Sequence, residues 1–132
     1  MIRKTNLAHR SNYGNKRSTS TIKYIVLHYT ANDGDSDENN GKYFNGANRG
    51  ASAHIFVDDD SCTQSVPDNY VAYSVGGNKY SNTKGGSLYG KATNANTLNI
   101  EMCDTVKNGK YEATAKTQEN AITIVREKMK QY

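Results

Sequence analysis

Tyr24-Ile25-Val26-Leu27-His28-Tyr29-Thr30-Ala31-Asn32 is the stretch whose reading decides the fold. Four apolar or aromatic residues run straight into an imidazole, and a small polar turn follows at once. A short apolar run closed by turn residues reads as a buried strand. Open α/β sheets keep their chemistry at the carboxyl ends of such strands. Position alone leaves two readings of His28: a strand-end ring that hydrogen-bonds a neighbour, or a functional imidazole.

Working outward, residues 22–29 form the first expected strand. Asp33-Gly34-Asp35 turns the chain, and Asp35 or Ser36 caps a helix over residues 36–48, with Glu38 as capping-box partner of Asp35. That helix is expected to bury Tyr43, Phe44 and Ala47. Residues 51–58 read as a second strand, Ile55 and Val57 alternating with His54, Phe56 and Asp58. The acidic turn Asp58-Asp59-Asp60 leads to a hairpin partner at 62–66, and a brief strand at 70–75 follows Pro67. Residues 76–93 are Gly-rich and polar, with Tyr80 and Tyr89; loops of that length are functional or disordered. In the strand at 97–103, Leu98, Ile100 and Met102 share one face and Asn99, Glu101 and Cys103 the other. Asn108-Gly109 makes a turn. A last helix runs from 114 to the end, with Ile122, Val125, Met129 and Tyr132 in one apolar stripe. Residues 1–20 read as a polar, basic arm outside the core. The sum is α/β: a single domain with a central mixed β-sheet of about five strands, flanked by helices, and a cleft at the ends of the His28 and Glu101 strands.

Composition bounds the partners. The 132 residues fit one domain; 35% are hydrophobic, with ten Tyr and no Trp. Seventeen Lys and Arg against thirteen Asp and Glu leave a formal charge of +4, compatible with an anionic wall polymer, nucleic acid or phospholipid surface. The basic residues are scattered rather than striped, so no nucleic-acid partner is expected. Cys62 and Cys103 lack the paired spacing of a zinc site and read as buried free thiols. Met1-Ile2-Arg3-Lys4 is followed by no apolar stretch, so synthesis in the cytoplasm without a signal peptide is expected. No run approaches the roughly 20 apolar residues of a membrane span. Oligomeric state stays open.

Glu101 is the second residue to explain. A carboxylate in an apolar strand is costly to bury unless it is paired or functional. It is either an outward, solvated strand residue or a general base in a partly dry cleft. An imidazole on one strand and a carboxylate on another point to hydrolysis by a metal-bound water.

Residues 25–32 resemble the first zinc-ligand motif of the zinc-dependent N-acetylmuramoyl-L-alanine amidases, which include many phage endolysins and share their fold with peptidoglycan recognition proteins. Ala51-Ser52-Ala53-His54-Ile55-Phe56-Val57, with the acidic turn and Gln64-Ser65-Val66-Pro67 after it, is similar to the second stretch of that family. Val71-Ala72-Tyr73-Ser74-Val75-Gly76 resembles its strand before the Gly-rich loop. Asn94-Ala95-Asn96-Thr97-Leu98-Asn99-Ile100-Glu101-Met102 resembles the segment bearing the catalytic glutamate. The matches fall in the right order over nearly the whole chain.

The resemblance implies that His28 is a metal (zinc) ligand, that Glu101 is catalytic, and that the bond cut joins N-acetylmuramic acid to the L-alanine of the stem peptide. The implied partner is peptidoglycan and the place of action the bacterial cell wall. Thr30, Asn32, His54 and Tyr73 are the expected substrate-binding residues, with Tyr80 and Tyr89 as further stacking candidates. His54 is not a zinc ligand in that family, and His9 reads as a surface residue. Ser74 stands where relatives often carry another histidine. The family places its second histidine ligand and a Cys or Asp ligand beyond the last long helix, so residues 1–132 are expected to be an amidase catalytic domain lacking that zinc-ligand segment. The alternative function is a module that binds muropeptide without cutting it.

Overall fold

The computed structural model describes residues 1–76 and 86–132. Eleven elements organise them: β1 (Ile2–Thr5), β2 (Tyr13–Lys16), β3 (Tyr24–Tyr29), α1 (Asp37–Asn45), β4 (Ile55–Val57), β5 (Ser61–Gln64), β6 (Tyr70–Ala72), β7 (Thr97–Met102), β8 (Val106–Lys107), β9 (Lys110–Tyr111) and α2 (Ala115–Gln131). The central sheet has five strands in the order β1-β5-β4-β7-β3. It is mixed: β4 and β5 form the antiparallel hairpin, and the other pairings are parallel. β2 pairs with β6, and β8 with β9, in separate two-stranded ribbons.

The sheet is covered on both faces. Ile55, Val57, Leu98 and Ile100 point to one side, where Ala121 and Ile124 of α2 close a core that also takes in Ile25 and Val125. Phe56, Ala53 and Cys103 point to the other side and meet Phe44 of α1. The rings of Phe44 and Phe56 stack with centroids 5.3 Å apart. Thr114 caps α2, its hydroxyl accepting from the Thr117 N–H at 3.1 Å, and Ser36 caps α1 by accepting from Asn39 N–H at 3.1 Å. Both ends were legible in the sequence.

Several expectations need correction, among them the strand expected over residues 51–58, which is confined to Ile55–Val57. The first residues are not an arm: β1 joins the main sheet in parallel register with β5, Ile2 opposite Ser61 through Thr5 opposite Gln64. An edge strand needs backbone partners on one side only, so its side chains can stay polar; Arg3 bonds Glu127 of α2 at 2.7 Å, and Lys4 pairs with Glu38 of α1. Helix α1 is shorter than residues 36–48, and of the three residues expected inward only Phe44 packs against the sheet. Asp37 and Gly41 are its buried positions, while Tyr43 is exposed and Ala47 lies past the helix end. Asp37 is held there by Ser61 Oγ at 2.7 Å and Thr63 Oγ1 at 2.5 Å. The expected strand at 70–75 stops at Ala72, after which Ser74 and Val75 donate their N–H groups to Asn94 Oδ1.

The two aromatic rings of this region therefore differ in worth. Phe56→Ala is expected to cost about 3–5 kcal/mol of unfolding free energy through the lost stack and cavity. Tyr43→Ala should cost less, about 1 kcal/mol, since the exposed ring gives up only its edge contact with Phe44 and its stack with Arg49. Denaturant titration of the two variants checks the contrast.

Candidate active site

The parallel ladder between β3 and β7 pairs His28 with Glu101 and Val26 with Asn99, while β4 places Phe56 beside Glu101. Residues directly opposite in register point to the same face of a sheet. The imidazole and the carboxyl group are thus neighbours on the α1 side.

Glu101 is largely sunk into the protein, and its Oε2 is buried with no hydrogen-bond partner among the described residues. Burial raises its carboxyl above the ordinary range; nearby His28 pulls it back, and the carboxylate of Asp35 adds to the rise. Thr30, one residue beyond β3, continues the ladder by donating its N–H to Met102 O at 3.0 Å, and its Oγ1 is likewise buried and unpartnered. Buried polar atoms nearly always find partners. Two orphaned oxygens at the same end of neighbouring strands mark the spot where a water or substrate group would complete the set.

His28 Nε2 lies 2.9 Å from Asn99 Oδ1. The ring also lines a groove of about 960 Å³ that runs along the outer side of β3, past Val26 and Ser74, to Tyr89 and Lys128. β3 is the last strand of the central sheet, which leaves that side of it open to the groove.

The remaining sequence candidates divide. Asn32 is exposed at the rim, its carbonyl accepting from Thr105 N–H at 3.2 Å. The turn before it is held by Ala31, which adopts a left-handed φ of 56° and donates its N–H to Thr105 Oγ1 at 2.7 Å. His54 is corrected: it is fully buried, and both ring nitrogens are engaged. Its Nδ1 accepts from the Asn99 N–H at 3.0 Å, and its Nε2 lies 3.0 Å from Tyr70 O and 3.1 Å from Arg17 Nη2. The resemblance implied a cleft contact for His54, but the ring is enclosed between β7 and β6. Tyr73 stands apart from His28. Its ring lies against Gly14 of β2, where an added Cβ would come within 3.2 Å of Tyr73 Cε1, and it takes no part in the groove wall beside His28. Ser74, its neighbour, does line that wall. Tyr80 lies outside the described residues.

Two contributors were missed. Asp35, read only as a cap, acts electrostatically on Glu101 and accepts from Asn40 Nδ2 at 2.8 Å. Asn99 sits two residues before Glu101 on the same strand face, and that spacing was the available signal.

A catalytic zinc takes three protein ligands. In this cleft the described residues supply one imidazole, that of His28, since both nitrogens of His54 are occupied. The one group of three acidic, His or Cys ligand atoms within 4.8 Å among the described residues is Asp37, Asp58 and Asp60. It offers oxygens alone, a donor set for hard cations rather than zinc. Its oxygens already accept from Ser61, Thr63 and the Asp60 N–H. The described residues do not fit a complete zinc centre.

The fold, the paired His28 and Glu101, and the groove beside them describe an α/β domain with an imidazole and a carboxyl side by side, and comparison identifies its family. Residues 18–132 match the N-acetylmuramoyl-L-alanine amidase family, and the chain belongs to that family. It is 34% identical over 116 residues to the N-acetylmuramoyl-L-alanine amidase CwlL of Bacillus licheniformis, covering 84% of this chain and 31% of the relative. It is 42% identical over 87 residues to the amidase BlyA of Bacillus subtilis (strain 168), covering 62% of this chain and 24% of that protein. The chain thus spans under a third of the length of these relatives. Among solved structures it resembles PlyL with a TM-score of 0.71 at 28% identity, over 100% of this chain and 75% of that one. The catalytic domain of XlyA shares the fold with a TM-score of 0.73 at 21% identity, over 99% and 77% of the two chains.

Proposed function

We propose that this protein hydrolyses peptidoglycan at the amide bond between the lactyl carbonyl of N-acetylmuramic acid and the L-alanine of the stem peptide. The observation that carries this reading is the in-register pairing of His28 with Glu101 in a chain of this family. The raised carboxyl of Glu101 suits a group that takes a proton from the attacking water and returns it to the departing alanine nitrogen. Thr30 and Asn32 form the rim against which the substrate lies. His28 is the ligand that this stretch offers to the zinc implied by the family, the one imidazole that the described residues bring to the cleft, and Glu101 carries the proton transfers. The bacterial cell wall is the site of action. No described helix is long and apolar enough to cross a membrane.

Incubation with purified peptidoglycan, with and without added zinc, tests the reading. New L-alanine amino termini should appear without new reducing sugar ends. The single imidazole favours one competitor, a module that holds muropeptide without cutting it. Heat on titration with a muramyl peptide, with no new amino termini at any zinc concentration, would establish that instead.

A further inference from the structure

We infer that Asn99 is a positioning residue that fixes the proton of His28 on Nε2 and leaves Nδ1 as the free lone pair of the ring. The inference deepens the proposed function and rests on His28 being the imidazole of the reactive cleft. Its geometry stands on its own.

One atom of this network has a single possible role. The carbonyl oxygen of Thr93 can only accept, and Thr97 Oγ1 lies 2.8 Å from it, so the hydroxyl proton of Thr97 is committed there. Thr97 Oγ1 can then only accept from the Asn99 side chain 2.9 Å away, which places the amide nitrogen, Nδ2, on that side. The amide oxygen consequently faces His28 at 2.9 Å, and an oxygen facing a ring nitrogen requires that nitrogen to donate. Each partner dictates the next: Thr93 carbonyl, Thr97 hydroxyl, Asn99 amide, His28 Nε2–H.

The chain of bonds sits in a place where bulk water cannot compete, because Thr97 and Asn99 are both fully buried. The backbone of Asn99 is pinned as well. Its N–H donates to His54 Nδ1 at 3.0 Å, and its carbonyl accepts from His54 N–H at 3.1 Å. A histidine that must present one chosen nitrogen is set by what its other nitrogen bonds. Here the device is an amide, whose orientation is decided by a threonine that never touches the imidazole.

That last feature supplies the test. In the full chain labelled with 15N-histidine, two-bond 1H–15N correlation at about pH 8.5, above the ordinary histidine range, reports which ring nitrogen carries the proton. Wild-type His28, identified by its loss in His28→Gln, should be the Nε2–H form alone, with an exchange-protected proton. Thr97→Val removes the acceptor that orients Asn99, so the amide can turn over and the Nδ1–H form of His28 should appear, with protection of the Nε2 proton lost. Thr97→Ser keeps the hydroxyl and should restore the wild-type pattern. Amidase activity should follow the same order, falling in Thr97→Val and recovering in Thr97→Ser. An Nδ1–H ring in the wild type overturns the inference, and so does a His28 pattern that Thr97→Val leaves unchanged. A wild-type protein with the Nε2–H ring but no hydrolysis would remove the proposed activity and leave the positioning role standing.

Discussion

Glu101→Gln is expected to lower peptidoglycan hydrolysis by about 10²–10⁴-fold, the range a positioned general acid–base contributes. Glutamine keeps the length and shape of the side chain but can neither take a proton from water nor hand one to a leaving nitrogen. The fold should not suffer. Glu101 Oε2 makes no hydrogen bond to the described residues, so the substitution removes no partner, and a neutral amide is easier to bury than a carboxylate. The thermal midpoint of Glu101→Gln should equal or exceed that of the wild type. A loss of activity that tracks a lowered midpoint would assign Glu101 a structural role, and retained turnover would remove it from the chemistry. Binding of a muramyl peptide should survive, because the rim residues Thr30 and Asn32 are untouched. That division between binding and turnover is what a group acting only in the transition state produces.

Much of this site was readable before any coordinates. The apolar run 24–27 ending in His28 and the alternation of Leu98, Ile100 and Met102 with Asn99 and Glu101 fix two strands and the faces of their side chains. Their parallel adjacency brings imidazole and carboxyl together. What escaped was whatever depends on the third dimension. β1 carries Arg3, Lys4 and Thr5, residues that a lone strand would not favour, and it is held by the backbone ladder to β5 at the sheet edge. His54 obeys strand alternation, yet β4 is covered on both faces, so a period of two could not say whether its ring would reach a cleft or be enclosed. Tyr73 came in through the resemblance of residues 71–76, and its ring lies toward Gly14 of β2. Asn99 was on the right face from the start. Its role appears only when the bonds to Thr97 and His28 are seen together.

The enclosed histidine leads to the second large effect, a loss of stability in mild acid. Burial pushes His54 down to about 4; the Tyr70 carbonyl opposes the shift, and the guanidinium of Arg17 adds to it. Asp68 also favours the charged ring and Lys128 disfavours it. An unfolded chain binds a proton at this side chain below about pH 6.5, whereas the folded one resists until about pH 4. Between those values the unfolded state holds more protons, so stability rises with pH. The contribution is complete above about pH 6.5 and drains away as the pH falls through the window, by roughly 3 kcal/mol in total. Two other buried groups work in the opposite direction. The raised carboxyls of Asp37 and Glu101 favour the folded state at low pH and lose that advantage as the pH rises. The lowered carboxyls of Asp58 and Asp68 act in the same direction as His54. The pH profile of the wild type alone therefore mixes all of these groups, and the informative quantity is the difference between wild type and His54→Gln. The variant should be less stable at pH 7, having lost the fitted ring and its bonds to Asn99 and Tyr70. The gap between the two proteins should narrow by roughly 3 kcal/mol as the pH falls from about 6.5 to about 4. Denaturant unfolding at a series of pH values measures it directly. A gap that stays constant across that window would mean that His54 gains its proton in the folded protein as readily as in the unfolded chain.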